Sequence, residues 1–504
     1  MTDHVRLSPF RSIRNLTVLA LTAGLPRLVG AFLVHKQPFG DAYCYIEQAS
    51  MLRGKIVTGT LSFANLYGFW LPLYQLFCAI ISLAINQPPY VARLVSALAG
   101  TGLCVLVYLC SYMLTASSRI ALLAFLAIAI NPFHLQYSAA AMTDVPHALM
   151  VMGCMYCVLI ERWTIAACLG AAACLMRIDS WMLVALVPTI ELVQRRKLPL
   201  LSALILASAP AFWLFVCWKA TGEAFASFHS HDQYVIYRLT AHPEFNHLTF
   251  DRFWLDANRL AYSVNLAVLA GCFAALWLLF RDWRSSAGRR EARCVTNLLV
   301  CMLFFFAYFG FIWLAYLTKN QSDIWPRYGL IMFSLGLPVL AYSAQQFFNS
   351  PAVLARAALG IVLAAGAVQF KSQAVDISRF LAHEERSQAI ANYLRREYAS
   401  DRSVRIFCDH PEVRVNSGIP GEQFYNSFSL GAPKDKDGFL GYLRVNRIKF
   451  LVIPQEFEIS TPSQLFPELV KEPGFFEGVI PAPDDQRADC LYRIRTEVHP
   501  ALKQ

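Results

Sequence analysis

Asp41, Asp144, Arg177 and Arg327 are the residues whose types and places along this chain could do chemistry. An apolar stretch, Leu16 to Val34, leads directly into Gly40-Asp41-Ala42-Tyr43-Cys44-Tyr45. Further on, a second apolar run reaches Met142 and gives way to Thr143-Asp144-Val145-Pro146. Ionisable groups at a membrane boundary are costly to hold dry, so by default they mark pathways or active sites. A carboxylate so placed can take the proton of an incoming hydroxyl. Arginine keeps its charge, and its planar fork meets two phosphate oxygens at once, which makes Arg177 and Arg327 candidates for holding a phosphate. Acids and arginines at one membrane face suit chemistry on a lipid-borne substrate.

The elements that must position these groups follow from composition. The chain has 504 residues, 56% hydrophobic and 15% charged, with a mean hydropathy of +0.42. Soluble domains carry about a quarter charged residues, so the class is a polytopic α-helical membrane protein. A net charge of +10 could suit nucleic acid. Here, however, the basic residues lie mostly in short loops between apolar spans, the positive-inside pattern, and no nucleic-acid partner is expected. Spans need about twenty apolar residues each. They are expected near 15–34, 90–113, 119–140, 145–161, 163–178, 180–194, 198–218, 257–280, 294–317, 328–347 and 352–370, about eleven in all. The first lacks a small-residue cleavage site and reads as an anchor.

Arg6, Arg11 and Arg14 set the N-terminus in the cytoplasm, and Arg119, Arg162, Arg195-Arg196-Lys197 and the run Arg281 to Arg293 agree with that orientation. The segment Phe69 to Ile85 contains Leu71-Pro72-Leu73-Tyr74 and is short for a span, so it reads as a helix in the outer interface. Asp41 and Asp144 then share the outer side, with outer loops over 35–89 and 219–256. The expected location is the inner (plasma) membrane, crossed many times.

Beyond Phe370 the pattern changes. Ser372 to Glu397 reads as an amphipathic helix, with β-type runs at Val404–Cys408, Lys449–Ile453 and Cys490–Ile494 and a further helix over Gly438–Asn446. The expected organisation is a membrane domain, 1–370, and a small soluble α/β domain, 371–504, outside the cytoplasm. Most of the 14 cysteines lie inside apolar spans as packing residues, and Cys154-x-x-Cys157 sits mid-span. Cys408 and Cys490 could pair in an oxidising compartment.

Asp41-Ala42-Tyr43 after the first span resembles the first outer-loop acidic motif of GT-C glycosyltransferases, in the branch of protein O-mannosyltransferases and the lipid A aminoarabinose transferase. Leu71-Pro72-Leu73-Tyr74 resembles their interfacial Pro-Leu-Tyr helix, and Ala92-Arg93-Leu94-Val95-Ser96-Ala97 the start of their second span. Asn131-Pro132, Ser138 and Thr143-Asp144-Val145-Pro146 are similar to their second outer-loop pattern, and Met176-Arg177-Ile178-Asp179 to the basic-acidic pair ending their fifth span. In order and spacing the resemblance covers about residues 15–345. It implies a GT-C-like membrane domain that moves a sugar from a polyprenyl-phosphate donor to a lipid, glycan or protein acceptor on the outer face.

Such a donor needs no general acid, because a phosphate leaves readily once its charge is held. Arg327 and Arg177 are the expected clamp, with Arg93 a weaker third candidate. Asp41 is the expected base, acting with inversion, a nearby carboxylate stabilises the oxocarbenium-like transition state, and Asp144 could orient the acceptor or bind a metal. Each has a plainer reading: Asp41 as an exposed loop residue or helix cap, Asp144 as the N-terminal cap of its span, Arg327 as an arginine reaching up to headgroups. Tyr43, Tyr45, Tyr234 and Tyr328 could line the substrate cavity or form an aromatic belt.

His229, His231 and Asp232, followed by His242 and His247, read as a polar loop at the acceptor entrance. They could hold a divalent metal, but His-x-His lacks a defined third and fourth ligand. No nucleotide-binding fingerprint is present. A transporter or flippase of the lipid-linked sugar is the rival reading, although the internal repeats that transporters tend to carry are missing.

Overall fold

The computed structural model describes residues 9–38, 40–241, 249–283, 289–318, 324–350, 353–382, 386–427, 435–454, 461–465, 468–469, 471, 475–480 and 489–495. Arg6, His242 and His247 lie outside them. The chain packs as two compact units, Met1–Pro38 with Ala49–Arg379, and Phe39–Gln48 with Phe380–Gln504.

The first unit is helical. Its opening helices are α1 (Pro9–Leu33), α2 (Gly40–Val57, which begins in the second unit), α3 (Leu73–Ile81) and α4 (Pro88–Thr115). Next come α5 (Ser118–Ala129), α6 (Pro132–Ser138), α7 (Asp144–Leu159), α8 (Trp163–Cys174) and α9 (Leu183–Arg195). Then follow α10 (Leu200–Thr221), α11 (Ala226–Ala241), α12 (Phe250–Val264) and α13 (Leu266–Trp283). The unit closes with α14 (Arg289–Leu317), α15 (Gly329–Phe348) and α16 (Val353–Ala382).

Every expected span is helical, though not every helix is long. Among the described residues six are long and apolar enough to cross a membrane, and up to eight if each of two bent pairs counts as one span. Helices α7, α8 and α9 have 16, 12 and 13 residues. At about 1.5 Å per residue, α8 and α9 fall short of a hydrocarbon core of about 30 Å. The segment expected in the interface contains α3, nine residues long.

Helix α4 is central, packed by α1, α5, α7 and α15. Helix α13 lies close against α15 because Gly271 has no side chain; a Cβ there would fall 2.9 Å from the Leu340 Cα.

Two expected spans are broken. The 119–140 stretch bends by 63° between α5 and α6. There Asn131 caps the new helix (His134 N to Oδ1, 2.7 Å) and Pro132 opens it. The 257–280 stretch bends more sharply: α12 and α13 meet at 91°. Asn265 makes this corner with φ 75°, its amide donating to Gly366 O and its Oδ1 accepting from Ala267 N.

Arg27, in the middle of α1, is fully buried. Its guanidinium donates to Ala23 O at 2.7 Å, Ile128 O at 3.2 Å and Ala129 O at 3.4 Å. It therefore occupies the carboxyl end of α5, where the break leaves carbonyls without helical partners. His134 Nδ1 stands 2.9 Å from Nη2. Arginine only donates, so Nδ1 accepts and the ring proton sits on Nε2.

The second unit contains α17 (Arg386–Tyr398), β1 (Ile406–Cys408), α18 (Pro411–Asn416), β2 (Phe424–Tyr425) and α19 (Lys436–Val445). After these come β3 (Phe450–Ile453), α20 (Thr461–Leu465), β4 (Phe476–Ile480) and β5 (Cys490–Ile494). The sheet order is β2-β1-β3-β5-β4. Strands β2, β1 and β3 run parallel, and β5 is antiparallel to both β3 and β4. The expected Ser372–Glu397 helix is instead the end of α16 followed by α17, since no Pro or Gly stops the first helix near Phe370.

Alternation along the strands builds two cores. Ile406, Cys408, Phe450, Val452 and Leu491 face α17 and α18. Phe407, Leu451, Ile453, Cys490 and Tyr492 face α19. Cys408 and Cys490 are thus on opposite faces with β3 between their strands, and neither is in a disulfide. The pairing considered from the sequence does not form. Burial also pushes the Cys408 thiol up to about 12, so it is protonated and inert at neutral pH. Reducing agent should leave the protein's gel mobility and melting temperature unchanged, and Cys408 should resist alkylation until the unit is denatured. A mobility shift on reduction would contradict this.

Candidate active site

Arg177 follows the end of α8 in extended backbone, and Asp179 lies in the short 3-10 turn Ile178–Met182. Asp144 is the first residue of α7. These tight connections aim three ionisable side chains at one place. Arg177 Nη1 donates to Asp144 Oδ1 at 3.2 Å, and its Nε reaches Asp179 Oδ2 at 3.1 Å and Oδ1 at 3.3 Å. The Asp144 and Asp179 side chains are only 4% and 10% exposed. Burial, the largest single influence, would raise the Asp179 carboxyl; the Arg177 charge, His147 and the hydrogen bonds from Arg177 and the Ser180 backbone together outweigh it and hold the group below the ordinary carboxylate range. Arg177 Nη2 takes part in neither pair.

Arg327 arrives from far along the chain. It lies in the 3-10 turn Pro326–Tyr328 that leads into α15. The Tyr328 ring centroid is 5.5 Å from the Arg177 guanidinium carbon and 5.7 Å from that of Arg327. One aromatic ring therefore serves both cations, within the distance at which a π-face attracts positive charge. Asp144, Arg177, Arg327 and Tyr328, singled out in the sequence, are brought together.

Behind them stands a buried polar chain that sequence reasoning missed. His147, three residues after Asp144 and so one turn along α7, places Nε2 3.6 Å from Asp179 Oδ1 and 2.5 Å from Ser180 Oγ. Ser180 Oγ in turn lies 2.6 Å from the Tyr308 hydroxyl of α14. The spacing of Asp144 and His147 was available as a signal. Tyr308, one aromatic among many in its helix, gave none.

Helix α12 packs on the Arg327 turn. Gly329 allows the approach, since a Cβ there would lie 2.9 Å from the Ser263 carbonyl carbon and closer still to its side chain. Gly329→Ala should lower stability by about 1–3 kcal/mol by overpacking and shift Tyr328. Thermal melting together with the KM for a lipid-phosphate ligand checks this; a variant unchanged in both refutes it.

The remaining candidates sit on other elements. Asp41, half-buried in the first turn of α2, belongs to the unit that holds the C-terminal domain. Tyr43 and Tyr45 beside it are buried, 4% and 3% exposed, so they present little ring surface to any cavity. Arg93 is also buried, donating to Val34 O at 2.8 Å and lying 2.9 Å from His35 Nδ1, where it ties the end of α1.

His229, His231 and Tyr234 lie on a helix, α11, rather than the expected loop. His229 Nδ1 is 2.7 Å from Glu223 Oε1, while His231 and Tyr234 pack around Phe69. The helix reaches the site through Phe228, whose ring meets Trp181, two residues after Asp179. Among the described residues no group of three or more His, Cys, Asp or Glu is placed to hold a metal ion.

The fold defines the class: a helical membrane protein with a small C-terminal sheet domain, ArnT-like in its architecture. Residues 76–167 match the family model of dolichyl-phosphate-mannose-protein mannosyltransferases. The chain is similar in structure to ArnT from Cupriavidus metallidurans bound to undecaprenyl phosphate, with a TM-score of 0.56 and 12% identity over 96% of this chain and 98% of that one. The apo state of the same ArnT also aligns at a TM-score of 0.56, with 15% identity over 96% and 99% of the two chains. No curated protein sequence matches the chain. The resemblance read from short motifs therefore holds at the level of the fold.

Proposed function

We propose that this protein is a glycosyltransferase that moves a sugar from a polyprenyl-phosphate donor to an acceptor hydroxyl on the outer face of the inner membrane. One observation carries the reading: two arginines about 150 residues apart in sequence converge on the Tyr328 ring beside buried carboxylates. The similarity to ArnT, a protein crystallised with undecaprenyl phosphate, supports the same donor class. Arg327 and Nη2 of Arg177 hold the donor phosphate. Asp144 and Asp179 fix the Arg177 fork, and the His147–Ser180–Tyr308 chain fixes Asp179 in turn.

Asp41 takes the proton of the acceptor hydroxyl as its oxygen bonds to the anomeric carbon. The carbon–oxygen bond to phosphate breaks with its electron pair on the phosphate, which leaves as polyprenyl phosphate. Attack from the face opposite the leaving group inverts the anomeric centre.

The test incubates the full chain, reconstituted in lipid vesicles, with a panel of polyprenyl-phosphate sugars and candidate acceptors. Release of polyprenyl phosphate matched by a glycosylated acceptor supports the reading. Donor that crosses the vesicle membrane chemically unchanged would instead identify a transporter.

A further inference from the structure

Within the C-terminal unit, one ion pair spans 367 positions of sequence. Arg414, in α18, donates Nε to Glu47 Oε1 at 2.7 Å and Nη2 to Glu47 Oε2 at 2.8 Å. Its third arm, Nη1, donates to Cys408 O at the end of β1, at 2.9 Å. The Arg414 side chain is 10% exposed and that of Glu47 37%. A two-pronged arginine–carboxylate pair of this kind fixes direction as well as distance.

Glu47 lies on α2 six residues after Asp41, about 9 Å along the helix axis. Cys44, midway along the helix between them, is within electrostatic reach of Asp41, Glu47 and Arg414. The start of α2 is also braced: Gly40 faces Pro411, the first residue of α18. Helix α18 is itself secured. Glu412 accepts from Ser387 of α17 at 3.0 Å, Asn416 donates to Gln388 at 3.3 Å, and Arg395 donates to the Asn416 carbonyl.

We infer that Arg414 is a positioning residue of the transfer reaction, the bolt by which the C-terminal domain sets the direction of the helix that presents Asp41. The proposal rests on the assignment of Asp41 as base. It gives the domain a task in the chemistry: the sheet holds α18, α18 holds α2, and α2 aims the carboxylate. Neither Arg414 nor Glu47 is among the residues proposed to hold the donor phosphate, so loss of the bolt should touch the chemical step and spare donor binding.

The test measures kcat and the donor KM of the full chain for Arg414→Gln, Glu47→Gln and the exchange Glu47→Arg with Arg414→Glu. Glu47→Gln leaves the buried guanidinium and its bond to Cys408 O in place, so it should fold even if Arg414→Gln does not. Each single variant should lose kcat by about 10–100-fold with KM unchanged, on the scale of misplacing a reacting group by about 1 Å. The exchange should recover part of that loss. A kcat for Glu47→Gln within twofold of the parent, or a loss that falls on KM alone, overturns the proposal. A parent protein that releases no polyprenyl phosphate overturns the functional assignment instead, and the two failures are told apart by that control.

Discussion

Replacing Asp41 by Asn abolishes measurable transfer, lowering kcat by roughly 10²–10⁴-fold, the range a positioned general base supplies. The amide keeps the size of the side chain but cannot take a proton. Donor KM stays close to that of the parent, because the phosphate clamp draws on Arg327 and Arg177 and not on Asp41. Release of polyprenyl phosphate from a labelled donor gives kcat, and the concentration series gives KM. Asp41→Glu, which retains the base on a longer arm, recovers part of the rate. Turnover by the Asn variant close to the parent's would remove Asp41 from the role of base.

The second large effect is expected at Arg177. Arg177→Ala leaves the largely buried carboxylates of Asp144 and Asp179 facing each other without their shared cation. Removing one partner of a buried ion pair costs about 3–5 kcal/mol, so both the melting temperature and transfer fall. Arg177→Lys restores the charge but not the fork, since a single ammonium cannot match the Nε and Nη1 geometry that serves the two acids. Arg327→Gln separates binding from folding. It should raise donor KM more than it lowers the melting temperature, because the amide keeps much of the side chain's length but not the charge that a phosphate needs. If Arg177→Ala melted like the parent and only its KM rose, Arg177 would be a substrate ligand alone, and the buried triad would carry no structural load.

Much of this was legible in the sequence for reasons that can be named. Hydropathy and the placement of arginines gave the membrane class and the apolar helical stretches, because a bilayer forces backbone polar groups to pair within a helix, while the polar helix α11 was missed. The short Pro and acid motifs marked Asp144, Arg177 and Arg327, which do meet. Three-dimensional closure was not legible. That Arg177 would bind two acids, or that Tyr328 would serve two guanidinium groups, depends on how separate helix ends converge, and no local periodicity encodes it. Asn265 turned an expected span into a right-angled corner because a single residue at positive φ ends a helix that hydropathy continues. The α/β pattern of the C-terminal unit came from runs of β-branched and apolar residues. Strands β2 and β4 escaped notice because one is two residues long and the other carries Glu477 and Gly478. The attachment of residues 39–48 to that unit has no sequence signature.

The charge at Arg27 bears on how the chain is made. Its acceptors, Ile128 O and Ala129 O, are synthesised a hundred residues after it. During that interval the nascent first helix must hold a naked guanidinium in or near lipid, at a cost of about 2.5–3.5 kcal/mol on insertion scales. Biogenesis thus has a built-in order: the anchor cannot settle until the bent fifth helix emerges to receive it.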